Sequence, residues 1–230
     1  MRRRLAECFS ILVLAINLLY GCAALTPQIV VTDNTFSSDY PKINIKINPD
    51  YRYIGHVNYK GEAQDYQDPA KKAVRINDMY IFVPKDAKDQ MGSAVMIVIA
   101  RLANPGWTYL GSGYESSSKT VYRHGVATFA GQNYEAVTHR MVFSSTDQPF
   151  YDHLMNQRLL AASSFIARSY RHPVSRDSIM HIRYIEDIRT TGFSPGEWND
   201  KALLKDAQIR FLDDFEKRAS KALEIIGNIK

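Results

Sequence analysis

The clearest pattern in this sequence is a strict alternation of polar and apolar residues around position 45. In Lys42–Ile47, lysine and asparagine alternate with isoleucine, and a period of two is typical of a half-buried β-strand. Asn48-Pro49-Asp50 then predicts a turn. The alternation resumes in Tyr51–Tyr59, which predicts a second strand directly after the first. Upstream, Ile29-Val30-Val31 predicts a short strand.

Longer apolar segments predict further strands. Ala94–Ala100 contains only apolar residues, as expected for a central strand covered on both faces. Gly131-Gln132-Asn133 separates two strand-like segments and predicts a hairpin. The remaining predicted strands are Arg75–Val83, Thr120–Ala130, Tyr134–Phe143 and Ser178–Ile188.

Two segments have helical periodicity instead. From Phe150 to Tyr170, apolar residues recur every three or four positions, which predicts one amphipathic helix. Ser194-Pro195-Gly196-Glu197 combines a capping-box pattern with proline at the first helical position, so a second helix is predicted to begin here. Its expected apolar stripe comprises Trp198, Leu204, Ala207, Phe211, Phe215, Ala219, Leu223 and Ile226.

Together these elements predict an α+β protein. Strands joined by short turns pair antiparallel, and helices gathered late in the chain favour this class. We expect a mainly antiparallel sheet of about six to seven strands. Two long amphipathic helices in the C-terminal half are expected to pack on it. Residues 42–230 are expected to form a single globular domain.

The N-terminus has the features of an export signal. Arg2, Arg3 and Arg4 precede an almost entirely apolar stretch from residue 9 to residue 20. That stretch is shorter than the roughly 20 residues that a membrane-spanning helix needs, and the arrangement is typical of a secretory signal. Leu19-Tyr20-Gly21-Cys22 resembles the lipobox of bacterial lipoproteins. An uncleaved anchor, or an ordinary signal cut near a chance cysteine, is the alternative.

The lipoprotein resemblance implies a specific fate for the chain. Residues 1–21 would be removed, Cys22 would be acylated, and residues 22–41 would form a lipidated tether. Ala23 is not the aspartate that marks inner-membrane retention in many bacteria, so the resemblance implies the periplasmic face of the outer membrane. Two or three acyl chains anchor stably, whereas a single one holds weakly.

Composition changes once the signal is removed. The chain has 230 residues, a formal charge of +5 and two cysteines. Removing residues 1–21 takes away three arginines, one acid and Cys8, which leaves 209 residues with a charge of +3. With Cys22 acylated, no thiol would remain for a disulfide, a nucleophile or a metal ligand. A charge this small gives no argument for nucleic acid as a partner.

The sequence contains no motif that defines a reaction. The six histidines lack metal-ligand spacing such as H-E-x-x-H, and neither a metal nor a cofactor is predicted. Gly111-Ser112-Gly113 lacks the glycines that a nucleophile elbow needs two residues before and after the serine. Arginines in or beside predicted strands could bind a carboxylate or phosphate, although such residues are more often solvated. They are Arg75, Arg101, Arg123, Arg140 and Arg183.

The segment 107–114 is the best candidate for a binding surface. Trp107, Tyr109 and Tyr114 lie among glycines and serines, and aromatic residues on a loop bury area at low entropic cost. Packing of these residues in the core is the alternative. We therefore expect a non-enzymatic, lipid-anchored module that binds another envelope protein or a glycan. A periplasmic hydrolase acting on cell-wall or lipid material, or a purely structural subunit, are the alternatives.

Overall fold

The computed structural model describes residues 27–64, 71–104, 106–109, 114, 117–143 and 147–226. Within these ranges the chain forms eleven strands and two α-helices. The strands are β1 Ile29–Thr32, β2 Thr35–Asp39, β3 Lys42–Ile47, β4 Tyr51–Gln64, β5 Lys72–Pro84, β6 Ser93–Leu102, β7 Val121–Phe129, β8 Gln132–Val142, β9 Ser164–Pro173, β10 Ser178–Asp187 and β11 Leu223–Ile226. The helices are α1 Gln148–Asn156 and α2 Asp206–Ala222.

The strands form two antiparallel sheets, which confirms the predicted α+β class. The large sheet has the order β4-β5-β6-β10-β9-β8-β7, and the small sheet has the order β1-β2-β3-β11. Strand β6 lies inside the large sheet between β5 and β10. Residues 94–100 are all buried, because both faces of the sheet are covered at this point. The strand predicted from that apolar segment is confirmed.

Two hydrophobic cores lie on opposite faces of the large sheet. The first lies between this sheet, the small sheet and α2, and includes Phe36, Ile97 and Phe215. The second is covered by α1 and includes Met96 and Phe150. None of the helices in the described part of the chain is long and apolar enough to cross a membrane.

The segment predicted as a tether contains folded structure. β1 and β2 lie at residues 29–39, and β2 pairs with β3 in the register Phe36↔Ile45. The Phe36 side chain is fully buried in the first core. The Asn34 side chain donates a 2.6 Å hydrogen bond to the carbonyl oxygen of Tyr51. Residues 29–39 are therefore part of the small sheet and not a free tether. The short strand predicted at Ile29-Val30-Val31 is confirmed as β1.

The first predicted helix is mostly wrong. Only residues 148–156 are helical, and residues 164–173 form β9 instead. The backbone of Arg158 is left-handed, with φ of 58°, so the helix ends without the glycine that usually marks such a position. β9 lies between β10 and β8 and therefore forms backbone hydrogen bonds along both of its edges. This tertiary pairing overrides the helical spacing of the apolar residues.

The second predicted helix begins later than its capping motif indicates. The capping box at Ser194 exists, because the backbone N–H of Ser194 donates to Glu197 at 2.9 Å. However, it begins only a 3₁₀ turn, Pro195–Trp198, and α2 starts at Asp206. Trp198 is fully buried in the first core and anchors this turn. Only α2 is long, with 17 residues against nine in α1.

Candidate functional site

A cluster of cationic side chains occupies the face of the large sheet opposite α2. Side chains alternate between the two faces along a strand. Met79 on β5, Ala167 on β9 and Ile185 on β10 belong to the second core, so the residues two, four or six positions away from them on the same strand lie on the face of that core. We call the following set the arginine face: Arg75 on β5, Arg171 on β9, Arg183 and His181 on β10, and His139 on β8.

The strand register brings four of these residues together. Arg171 is directly opposite His181, and Ser169, which contacts His139, is opposite Arg183. Arg75 is near the start of β5, opposite Gly61 on β4, and its charge acts on His181. A Cβ atom at Gly61 would lie 3.5 Å from Nη2 of Arg75, so this guanidinium group lies beside the glycine.

The other arginines proposed from the sequence lie on the opposite face and have protein partners. Arg101 donates to Asp78 at 3.1 Å, and Arg123 donates to Glu216 at 2.8 Å. Arg140 donates to Ser164 at 2.9 Å through its Nε. These contacts join strands to one another and to α2. The structure therefore separates the five proposed arginines into three that are partnered and two, Arg75 and Arg183, on the arginine face.

Arg75 and Arg183 lack the partners that the other arginines have. The Nε atom of each is buried and has no hydrogen-bond acceptor, as is also the case for Nε of Arg101 on the other face. Arg101 nevertheless has an ion pair with Asp78, whereas Arg75 and Arg183 have no ion pair with a described acid. The Nδ1 atom of His181 is likewise buried without a partner. A buried donor that is left unsatisfied costs about 1–3 kcal/mol, and more when it is charged. Three such atoms on one face mark a region that is not optimised for stability.

Arg171 differs from its two neighbours because it is paired. It donates to Glu135 at 2.9 Å, and Glu135 also accepts the backbone N–H of Tyr114 at 2.8 Å. Burial alone would raise the pKa of Glu135. The hydrogen bonds from His124, Arg171 and Tyr114 outweigh burial and lower the pKa overall. Glu135 is therefore ionised at neutral pH and holds Arg171 in place.

Both histidines of the arginine face are neutral at pH 7. Burial, together with the charges of Arg183, Arg171 and Arg75, lowers the pKa of His181 well below its usual range. Burial, followed by the charge of Arg183, lowers the pKa of His139 to about 4. Each histidine therefore presents one N–H donor and one acceptor nitrogen, and the positive charge of this face comes from arginine.

His139 forms a hydrogen bond with a serine. Its Nδ1 lies 3.1 Å from the carbonyl oxygen of Arg140, which can only accept, so Nδ1 carries the proton. Nε2 therefore accepts from the hydroxyl of Ser169 at 3.0 Å. This is the relative placement of a nucleophile and its general base. However, Ser169 is fully buried, so its hydroxyl oxygen does not reach the protein surface.

The aromatic residues proposed as contacts divide into two groups. The ring of Tyr114 lies 4.8 Å from that of His139, and its backbone is bound to Glu135. Tyr109 is half-buried, and burial raises the pKa of its hydroxyl against the opposing charges of Arg75 and Arg171. Both tyrosines therefore border the arginine face. Trp107 is half-buried, and no described contact joins its indole to this face. Cys22 and the predicted lipobox, residues 19–22, lie outside the described residues.

A third tyrosine borders the same region. Tyr59 on β4 is buried, and its hydroxyl donates a long hydrogen bond of 3.5 Å to Asp147. Burial and the charge of Asp147 raise the pKa of Tyr59, whereas Arg183 and Arg75 act in the opposite direction. Aromatic side chains thus approach the arginine face from β4 and from the segment after Asn104.

Sequence reasoning missed Arg171 because β9 was predicted as the end of a helix. A weak strand signal is present: aromatic residues Phe165 and Tyr170 occur in a short segment that Pro173 closes. No spacing in the sequence indicated that any of the six histidines lie together, and the structure brings His139 and His181 to one face. Among the described residues, no group of three histidines, cysteines or acids is placed to hold a metal ion.

A surface depression of about 680 Å³ lies elsewhere, on the α2 side of the sheet. Its lining includes Glu186 and Arg218, which are already paired with each other at 2.7 Å. Tyr184 also donates to Glu186. Because these polar groups satisfy one another, the depression is a weaker candidate than the arginine face.

Comparison with known proteins identifies no family. No family model matches this chain, and no curated protein matches it. A crystal structure of a protein from Bacteroides thetaiotaomicron VPI-5482 has a TM-score of 0.27 and 8% sequence identity to this chain. The match covers 79% of this chain and 50% of that protein, so the chain spans about half its length. The function is therefore argued from the residues of this chain alone.

Proposed function

We propose that this protein is a lipid-anchored binding module of the bacterial cell envelope and that the arginine face is its binding surface. The lipobox at Leu19-Tyr20-Gly21-Cys22 supports the anchor. The observation that carries the binding role is that Arg75 and Arg183 combine a buried, unpartnered Nε with the absence of any ion pair to a described acid, and that Nδ1 of His181 beside them is unpartnered too. Such atoms are stabilised when a ligand provides the missing acceptors.

In this proposal Cys22 holds the domain at the periplasmic face of the outer membrane. The arginine face, bordered by Tyr109 and Tyr114, contacts another envelope protein or a glycan. No step of bond making or breaking is assigned to these residues, because binding requires only the hydrogen-bond donors of the arginine face.

The anchor is tested by a Cys22→Ala variant expressed in a Gram-negative bacterium. We expect the variant to lose labelling by a fatty-acid analogue and to leave the membrane fraction, since acyl chains supply the membrane affinity. A Cys8→Ala variant, altered inside the predicted signal, is the matched control and should still be labelled. Labelling of the Cys22→Ala variant would refute the lipid anchor.

The binding role is tested by crosslinking in intact cells. A photoreactive phenylalanine analogue at position 109 should crosslink to an envelope component, and an Arg183→Gln change in the same chain should abolish this product. The same analogue at position 203 is the control, because Leu203 is 74% exposed on the other side of the domain. Equal products at both positions would show that the arginine face is not the binding surface.

A hydrolase is the second candidate, and the hydrogen bond between Ser169 and His139 favours it. The complete burial of Ser169 makes it the weaker candidate. If the protein is a hydrolase, the wild type should turn over an ester or cell-wall substrate, and a Ser169→Ala variant should not. Equal turnover by wild type and variant would refute a nucleophilic role for this serine.

A further inference from the structure

We propose that the ligand of the arginine face carries an oxyanion, a carboxylate or a phosphate, and that Arg75, Arg183 and His181 contact this group. The proposal deepens the proposed function by naming the ligand class. It rests on that function only in taking the arginine face as the binding surface, and it does not depend on acylation of Cys22.

The first argument is the number and kind of unsatisfied atoms. Arginine cannot lose its charge in a protein, so the Nε–H groups of Arg75 and Arg183 are permanent donors without an acceptor. The Nδ1 atom of His181 is free to carry the proton of the neutral ring, since no described partner fixes its tautomer. A ligand that satisfies these atoms must offer acceptors, and a negative charge strengthens each bond.

The second argument comes from the neighbouring arginine on the same face. Arg171 is 7% exposed and is held by the carboxylate of Glu135 at 2.9 Å. This part of the fold therefore accommodates an arginine–carboxylate pair within the sheet. Arg75 and Arg183 have no equivalent carboxylate among the described acids, and an oxyanion on a ligand would take that role.

The third argument is the electrostatic setting. Burial, and after it the charges of Arg183, Arg171 and Arg75, lowers the pKa of His181 and favours its neutral form. Positive charges that repel one another in this way are stabilised by a shared anion. Carboxylates and phosphates are the groups that guanidinium binds best, because its planar array of donors matches their oxygen atoms.

The test is isothermal titration calorimetry on the purified full-length protein in detergent. The probes are inorganic phosphate, glucuronate and, as the neutral match of glucuronate, glucose. We expect phosphate and glucuronate to bind and glucose not to bind. Arg75→Gln and Arg183→Gln should each weaken binding by about tenfold or more, since each removes a charge-assisted donor. Circular dichroism of each variant establishes that it is folded.

Arg101→Gln is the matched control, because Arg101 also has a buried, unsatisfied Nε but lies on the other face and is paired with Asp78. It should bind both anions as wild type does. Binding of phosphate and glucuronate that is unchanged in the Arg75 and Arg183 variants would overturn the proposal.

Two further results would overturn the proposal that the ligand is an oxyanion, but would leave the arginine face as the proposed binding surface. One is glucose binding as strongly as glucuronate. The other is no binding of either anion while crosslinking at position 109 in cells still depends on Arg183. If crosslinking at position 109 is also absent, the proposed function itself fails.

Discussion

The two faces of the large sheet treat charge in opposite ways. On the face that packs against α2, Glu216 accepts hydrogen bonds from Arg123, Arg168 and Thr138. On the same side, Arg218 donates twice to Glu186, at 2.7 and 2.8 Å. On the arginine face, Arg75 and Arg183 each have a buried, unsatisfied Nε and no ion pair with a described acid, and Nδ1 of His181 is also unsatisfied. On the other face, Nε of Arg101 is unsatisfied too, but that residue is paired with Asp78.

This difference separates structural charges from candidate functional ones. The sequence supplies arginines to both faces, but on the arginine face only Arg171 has an acidic partner among the described residues. Natural proteins tolerate locally unfavourable groups chiefly where a function requires them. The paired arginines near α2 are therefore best explained by stability, and the unpaired ones by a ligand.

The largest expected effect is on the paired face. Glu216→Ala leaves Arg123 and Arg168 without their shared acceptor. We expect the free energy of unfolding to fall by about 2–4 kcal/mol, because Arg168 loses its acidic partner and Arg123 keeps only Asp213 in this partly buried network. Chemical denaturation measures the loss.

Asp214→Ala provides the control for this prediction. Asp214 also lies on α2 and is paired with Lys217, but both side chains are more than half exposed. Exposed pairs contribute little, so the denaturation midpoint should stay close to that of wild type. Equal losses in both variants would remove the distinction between a structural network and ordinary surface charge.

The next effect concerns pH and the arginine face. The pKa of His139 is about 4 in the folded protein, against an ordinary value of 6.5, so the unfolded chain binds more protons between these values. Stability should therefore fall as the pH drops from about 6.5 towards 4, by roughly 3 kcal/mol at most from this residue. The lowered pKa of His181 acts with the same sign.

A His139→Asn variant should show a shallower loss of stability over this window, measured by denaturation at a series of pH values. His56→Asn is the control, because His56 is exposed on β4 and stacks on Tyr80. If the free energy of unfolding of the His139 variant depended on pH as steeply as that of the wild type, the assignment of a buried, neutral imidazole to His139 would be contradicted.

The smallest expected effect is the most informative one. Arg183→Gln should leave the free energy of unfolding unchanged or raise it by up to about 1 kcal/mol, because it removes a repelling charge that has no partner. Arg101→Gln should lower it, since Asp78 loses its ion pair. A loss of stability in Arg183→Gln as large as that in Arg101→Gln would mean that the two faces are equivalent.

The sequence predicted strands well where one physical signal dominated. Lys42–Ile47 alternates strictly, and its isoleucines are buried as expected. The apolar stretch around Ile97 became a fully buried central strand. The hairpin around Gly131 is also confirmed, since this glycine adopts φ of 77° between β7 and β8.

Helix prediction failed where the decision was not local. The spacing from Tyr151 to Ile166 fits a helix, yet Ile166 lies in β9, opposite Glu186 of β10. A strand with partners on both edges gains a full set of backbone hydrogen bonds, and no pattern within the segment reveals those partners. The capping box at Ser194 was identified correctly, but burial of Trp198 limited it to one turn.

The candidate site shows the same division. The sequence identified Arg75 and Arg183 as strand arginines, and it identified Tyr109 and Tyr114 as loop aromatics. It could not separate these arginines from Arg101, Arg123 and Arg140, which look alike in sequence. It also missed Arg171, because the strand that carries it was predicted as a helix.

The sequence by itself determined the class of the fold and most of the strands, because each depends on residues that are neighbours in the chain. Only the tertiary structure decided which arginines received a carboxylate. That choice depends on strand register and on which face α2 covers, and both are set by contacts between residues far apart in the sequence. The unpaired charges of the arginine face are therefore a property of the folded protein.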